Sequence, residues 1–383
     1  MINSLKSTIS RNLVNIRGWK TNRKIIVIES DDWGTIRMPS LHVREKYENL
    51  GYEINSNPYC AYDTLANSED LEILFNTLLQ FKDKKGNNAI ITFNTVVANP
   101  DFEKINGAKF KKYHYEPFNK TLEKYYPNEN VFEIWKQGIK ERLIQPQFHG
   151  REHVNVPLWL HELRSTNKPL LDAFNLNFWG IPLDIYQPSH LNIQASFDSD
   201  DKKDNDFYKQ SISEGLDLFE NLFGFRSTTF IANNYTWSNN LNRTLHVNGI
   251  KGLQSMKYQK LPLNDTSKQR SKIQVYTGKR TDFGQIYSVR NCIFEPSHYK
   301  RSNNVKNCIN QIAQAFLFKK PAVIASHRLN YIGQLSKANR TENIKQLNTL
   351  LTIILKKWPS VEFLTSDELI ETIHDDYSKN HEA

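Results

Sequence analysis

Three cysteines, Cys60, Cys292 and Cys308, are spread over 383 residues, and none forms a C-x-x-C pair. That excludes a disulfide framework, and the three are read as reduced thiols. Long apolar runs are missing too: no stretch approaches the ~18 residues that a membrane-spanning helix needs. The opening segment MINSLKSTISRNLVNIRGWKTNRK has no apolar signal core, which predicts a cytoplasmic protein. The net charge is +9, yet there is no RNA-binding signature, zinc finger or basic helix with interleaved aromatics, so nucleic acid is not an expected partner. Internal repeats are absent.

What is present can build a sizeable core. Hydrophobic residues make up 39% and aromatics 12%, with 21 Phe, 17 Tyr and 7 Trp. The expectation is one domain over residues 1–383. Residues 1–23 read as a basic helix, with Leu5, Ile9, Leu13 and Ile16 at helical spacing among Lys6, Arg11, Arg17, Lys20 and Arg23. Such a helix either lies on a membrane surface, making the protein peripheral to the inner face, or packs across one end of the domain. Residues 40–80 and 99–140, rich in Tyr, Asn, Lys and Pro without a clear strand, read as insertions. Asp198–Asn205 reads as a polar connection, lacking the glycine and closing glutamate of a calcium loop.

Strand candidates are Ile25–Ser30, Ala89–Asn94, Leu143–Phe148, Ile193–Phe197, Arg226–Ala232, Ile250–Ser255, Gly284–Ile293, Val323–Ser326 and Val361–Leu364. Between them lie segments of helical period. Ile212, Leu216, Phe219 and Phe223 share one face, with Gly224 as a stop. Ile344, Leu347, Leu351 and Ile354 share another, with Asn339 and Glu342 spaced like a capping box. Strands alternating with helices predict an α/β fold with a largely parallel sheet, open or closed into a barrel.

The first strand, KIIVIESDDWG, runs into Asp31 and Asp32. Neighbouring residues on a regular strand face opposite ways, so both carboxylates serve one site only where the strand ends. Two close carboxylates repel unless a cation or proton lies between them. FHGREHVNVP supplies His149 and His153, four apart and on the loop between a strand and a helix begun by Pro157, so they share the rim with the aspartates. His327 ends the strand Val323–Ser326 on that rim. Arg226 opens the strand of GFRSTTFIANNYTW, where it either holds a carboxylate bidentately or makes an ordinary ion pair. Trp33, Tyr235 and Trp237 lie near these loops. They either stack on sugar rings or, as is commoner for Trp, pack in the core.

In that order these segments resemble the motifs of the polysaccharide deacetylase superfamily: an Asp-Asp pair at a strand end, H-x-x-x-H, a segment begun by Arg, and a last segment with a catalytic His. The resemblance runs from residue 24 to about 370. It implies a distorted (β/α)7 barrel of the glycoside hydrolase and deacetylase type, with loop insertions. It also implies one divalent metal ion on Asp32, His149 and His153: zinc first, with cobalt, nickel or manganese as alternatives. Asp31 would be the general base, His327 the acid and Arg226 the residue that orients Asp31. The sequence departs from the family pattern. E-S-D-D-W-G stands for T-F-D-D-G, Arg226–Thr229 for R-x-P-Y, and RNCIFEPS for D-x-x-D-W, with Glu295 orienting His327 in place of the missing aspartate.

The implied activity is removal of an N- or O-acyl group, acetyl first, from a sugar or polysaccharide precursor, phosphate- or lipid-linked. The setting it suggests is surface-polysaccharide or O-antigen biosynthesis. Rival readings are a catalytically altered carbohydrate-binding barrel, a sugar transferase, a glycosidase and a non-haem iron oxygenase. Oligomeric state is not legible in the sequence.

Overall fold

The computed structural model describes residues 14–186, 191–263, 270–299 and 302–382. Most of the basic segment 1–23, including Leu5, Lys6, Ile9, Arg11 and Leu13, therefore lies outside the described residues.

Nine strands form the main sheet. They are β1 (Lys24–Trp33), β2 (Ile91–Thr95), β3 (Ile144–Phe148), β4 (Thr229–Phe230), β5 (Gly252–Ser255), β6 (Ile286–Val289), β7 (Cys292–Ile293), β8 (Ala322–His327) and β9 (Val361–Phe363). Their order is β6-β5-β4-β3-β2-β1-β8-β7, with β9 added to the start of β1. Every pairing is parallel. The strands thus follow chain order around a curled sheet in which β1 pairs with β8. The fold is a distorted α/β barrel; among the described residues no ladder joins β6 to β7. Helices including Ser68–Leu78, Val131–Lys140, Asp204–Phe223, Asn304–Leu317 and Lys337–Lys357 accompany the strands.

Alternation along β1 explains how this sheet is filled. Ile26 and Ile28 pack outward with Leu71, Leu74, Ile312, Leu347 and Leu351 of the helical layer. Ile25 and Val27 face inward with Val323 and Ile286, where Leu369, Ile370 and Ile373 of the helix Ser366–Glu382 join them. Above this apolar plug the interior turns polar: Asn94, Gln254, Thr229 and Gln147 hydrogen-bond in a chain. Glu29 lies at the same level as this layer and is fully buried. Buried polar groups of this kind persist only when paired, which fixes their rotamers.

Several sequence expectations are corrected. Ile193–Phe197 is not a strand but a series of turns, whose backbone instead caps the segment around Asn155. Gly284–Ile293 is two strands, because the chain leaves β5 after Val289 and joins β8 at Cys292, with Arg290 at the break. Of Arg226–Ala232, only Thr229–Phe230 pairs. Residues 99–140 do contain a strand, Tyr115–Pro117, antiparallel to Ala98–Pro100. The helix Lys337–Lys357 is capped by Ser336, whose side chain accepts from the Asn339 N–H, so Asn339 and Glu342 form no capping box. The helix ending at Phe223 does stop at Gly224, with φ +77°. Cys60, Cys292 and Cys308 are free and buried. Among the described residues no helix is long and apolar enough to cross a membrane.

One backbone irregularity decides where the two aspartates point. The pairing of β1 with β2 shifts register between Ser30 and Trp33, a β-bulge, and Asp32 has φ +72°. The left-handed region costs an ordinary L-residue roughly 1–2 kcal/mol but is tolerated by Asn and Asp. Asp32→Ala should therefore be less stable than Asp32→Asn by about 1 kcal/mol, measured by urea denaturation. Equal midpoints would mean that the bulge stores no such preference.

Candidate metal centre

Six strand ends deliver the site. Asp31 and Asp32 leave β1, and His149 and His153 follow β3. Asn233 and Tyr235 follow β4, Arg290 follows β6, Glu295 follows β7, and His327 ends β8. This is the carboxyl-end rim where barrel folds gather their chemistry.

The bulge sends the two carboxylates to different partners. Asp31 takes two hydrogen bonds from Arg290, Nη2 to Oδ1 at 2.6 Å and Nη1 to Oδ2 at 2.7 Å, and a third from Asn94 at 2.7 Å. Arg290 also donates through Nε to Glu29 at 2.6 Å, two residues back on the same face of β1. Burial pushes the Asp31 pKa up, but Arg290 more than reverses this and holds it at about 2. Asp31 is thus ionised at neutral pH, with one lone pair of Oδ2 still uncommitted on the side of His327, 3.8 Å away.

Asp32 turns to the histidines. Its Oδ1 is 3.4 Å from His149 Nε2 and 3.0 Å from His153 Nε2, and all three residues are buried. Their ligand atoms lie within 4.8 Å of one another. The Ile231 carbonyl, 2.9 Å from His149 Nδ1, can only accept, so Nδ1 carries the proton and Nε2 presents a lone pair. Burial, aided by the nearby Arg37 guanidinium, lowers the His153 pKa to about 4, leaving a neutral ring.

The contacts around His153 form a frustrated arrangement. Arg37 Nη2 lies 3.1 Å from His153 Nε2 and can only donate; Asp32 Oδ1, 3.0 Å from that nitrogen, can only accept. A single ring nitrogen cannot satisfy both, whichever tautomer is present. Asp32 Oδ2 and His153 Nδ1 are also buried without a hydrogen-bond partner. A divalent cation among Asp32, His149 and His153 resolves the lone-pair contact. One carboxylate and two imidazoles are a standard donor set for such an ion, so the residues fit a metal.

The remaining positions on the rim follow. His327 Nδ1 is 2.5 Å from Glu295 Oε1, and Asn330 donates to Glu295 Oε2 at 2.7 Å. Burial lowers the His327 pKa, but Glu295, with help from Asp31, overcomes this and raises it to about 9. Tyr235 Oη is 3.0 Å from Arg290 Nη1, which sets its half-buried ring beside the site.

Three proposed residues lie elsewhere. Arg226 precedes β4 and so occupies the opposite end of the barrel, where it pairs with Asp217 and Glu220 and donates to the Asn248 carbonyl. It does not touch Asp31; Arg290 holds that position. Trp33 is buried, stacked on Phe93 at 3.5 Å and donating to Ser30. Trp237 is buried too, donating to Asn242. Neither indole offers a face to a sugar. Sequence reasoning missed Arg37 and the clamp role of Arg290. The one signal for Arg290 was an arginine directly after an apolar strand; Arg37 carried none.

No family model and no curated protein sequence matches the chain. Solved structures similar to it include a 4-alpha-glucanotransferase from Thermococcus litoralis, at 11% identity and TM-score 0.47, where the likeness covers 91% of this chain and 40% of that one. A putative polysaccharide deacetylase from Mycobacterium smegmatis has 10% identity and TM-score 0.41, covering 94% of each chain. A probable polysaccharide deacetylase from Pseudomonas aeruginosa PAO1 has 9% identity and TM-score 0.44, covering 93% of this chain and 92% of that one.

His149→Ala and His153→Ala should each abolish stoichiometric zinc or cobalt binding while the circular dichroism spectrum stays unchanged. A full equivalent of metal retained by both variants would refute the ligand assignment.

Proposed function

We propose that the protein is a metal-dependent hydrolase that removes an acyl group, acetyl first, from an N- or O-acylated sugar or polysaccharide precursor. The observation that carries this reading is the buried Asp32–His149–His153 cluster placed beside an ionised Asp31 and a Glu295-paired His327. Zinc is the ion best matched to the donor set, with cobalt, nickel or manganese as substitutes. When bound, it would acidify a water molecule and polarise the acyl carbonyl.

The chain's own residues supply the proton traffic. Asp31 accepts the proton lost by the attacking water; Arg290 and Asn94 fix the carboxylate so that its uncommitted lone pair faces the reaction. His327, charged at neutral pH, protonates the departing amine or alcohol. Glu295 holds that imidazolium through Nδ1, which leaves Nε2 to donate. Beside His327 a cavity of about 540 Å³ opens among Pro58, Tyr62, Ser297, His298 and Tyr299. His298 lines it and lies 6.1 Å from His327, ring to ring. That volume accommodates a sugar on the leaving-group side.

Other carboxylate chemistry has less support. Glu29 is held by Arg290 and Ser366, and Asp63 by Arg328. A glycosidase would need two carboxyl groups open to substrate on either side of the bond. We further propose that the chain is one barrel domain with loop insertions. The surface-polysaccharide setting and the phosphate- or lipid-linked acceptor rest on the resemblance of motifs.

Acetate release from N-acetylated chito-oligosaccharides should be abolished by chelation and by Asp31→Asn, and should fall about 10²–10⁴-fold in His327→Ala. Arg226→Gln should leave it near wild type. Because His327 must be protonated, activity should fall as pH rises through about 9. Glu295→Gln removes the anion that raises this pKa, so its alkaline limb should move to lower pH. An unmoved limb would show that His327 is not the acid.

A further inference from the structure

Arg37 is an unexpected neighbour for a metal centre. Its guanidinium is buried, lies 4.4 Å from the face of Tyr59, and has Nη2 3.5 Å from Asp32 Oδ2. Nη1 donates to Gln194 at 3.0 Å. Its position is built in: a Cβ at Gly180 would come within 3.3 Å of the Arg37 Cβ and Cγ, so only glycine there leaves this arm room without adjustment. Asp63 Oδ2, 3.4 Å from Arg37 Nε, pairs with it by charge without a hydrogen bond, while Oδ1 takes two bonds from Arg328. Arg37 therefore has no bidentate carboxylate of its own, and its Nε has no hydrogen-bond partner.

Donor accounting asks for another oxygen here. A divalent ion held by Asp32, His149 and His153 would take the His153 Nε2 lone pair that Arg37 Nη2 now uses. That N–H is then left buried and needs a new acceptor, at a cost comparable to a lost hydrogen bond.

We propose that Arg37 and the metal together form a carboxylate-binding site, in which the guanidinium binds an oxygen of the acyl group. In the substrate this is the carbonyl oxygen; in the product it is an oxygen of the released acid. Water adds across the acyl C–N or C–O bond, and the carbonyl carbon keeps the water oxygen. One water proton passes to Asp31, and the leaving nitrogen or oxygen takes a proton from His327. The product acid gives its remaining proton to solvent, and its carboxylate presents an oxygen to the guanidinium. A planar guanidinium suits such an oxygen better than an ammonium.

This inference rests on the metal-hydrolase reading, and one set of titrations separates the two. Wild type, Arg37→Gln and Arg37→Lys are titrated with zinc alone and then, zinc-loaded, with acetate by calorimetry. Zinc affinity is expected to be equal or tighter in Arg37→Gln, because a cation beside two ligands is gone. Acetate affinity is expected to fall about tenfold or more. Arg37→Lys keeps the charge but not the fork, and should bind acetate with intermediate affinity; it carries the test if Arg37→Gln does not fold. Unchanged acetate affinity in the variants overturns the inference. Weakened zinc binding in Arg37→Gln also overturns it, since Arg37 would then merely position His153. Failure of wild type to bind zinc overturns the metal reading itself.

Discussion

Two adjacent carboxylates cannot both be buried in ionised form without cationic partners, and the rest of this site is arranged around that constraint. The bulge in β1 separates them. Asp31 keeps the inward face it shares with Glu29, and both take hydrogen bonds from the single cation Arg290. Asp32, turned by its left-handed backbone, faces His149, His153 and Arg37 instead. Removing one partner from such a buried set leaves an uncompensated charge, a cost of about 3–5 kcal/mol. The charges at the rim therefore hold one another in place as much as they prepare chemistry.

The barrel makes this arrangement affordable. Its lower interior is apolar, with Ile25, Val27, Ile286 and Val323 closed off by the C-terminal helix. The polar layer above it links Asp31 through Asn94 and Gln254 to Thr229. Each functional group thus stands on a strand end whose orientation is fixed from beneath. Rigid support of this kind is what positional chemistry demands.

Much of the rim was legible in the sequence because its signals are local. An apolar strand leading into Asp31-Asp32, a strand followed by His149 and His153, and a strand ending at His327 each need only one segment to be read. The resemblance to the family's motif order puts Glu295 beside His327, and the two are in contact. The same resemblance misassigns the arginine partner. Arg226 matches the order of the motifs, but it lies before its strand, whereas a rim residue must lie after it. Arg290 does so, yet the break between Val289 and Cys292 that turns it inward arises from a change of strand partner. Trp33 and Trp237 were ambiguous because an indole near a loop can face the core or the solvent, and tertiary packing decides. Arg37 was invisible because its place depends on Gly180, Gln194 and Tyr59, distant in sequence.

The central claim is that one divalent ion completes the Asp32–His149–His153 cluster. Anomalous diffraction at the zinc edge from a zinc-loaded crystal tests it most directly. The account predicts a single strong peak bonded to Asp32 and to Nε2 of both histidines, with Arg37 Nη2 withdrawn from His153. A zinc-loaded crystal with no peak there, and His153 still hydrogen-bonded to Arg37, would contradict it.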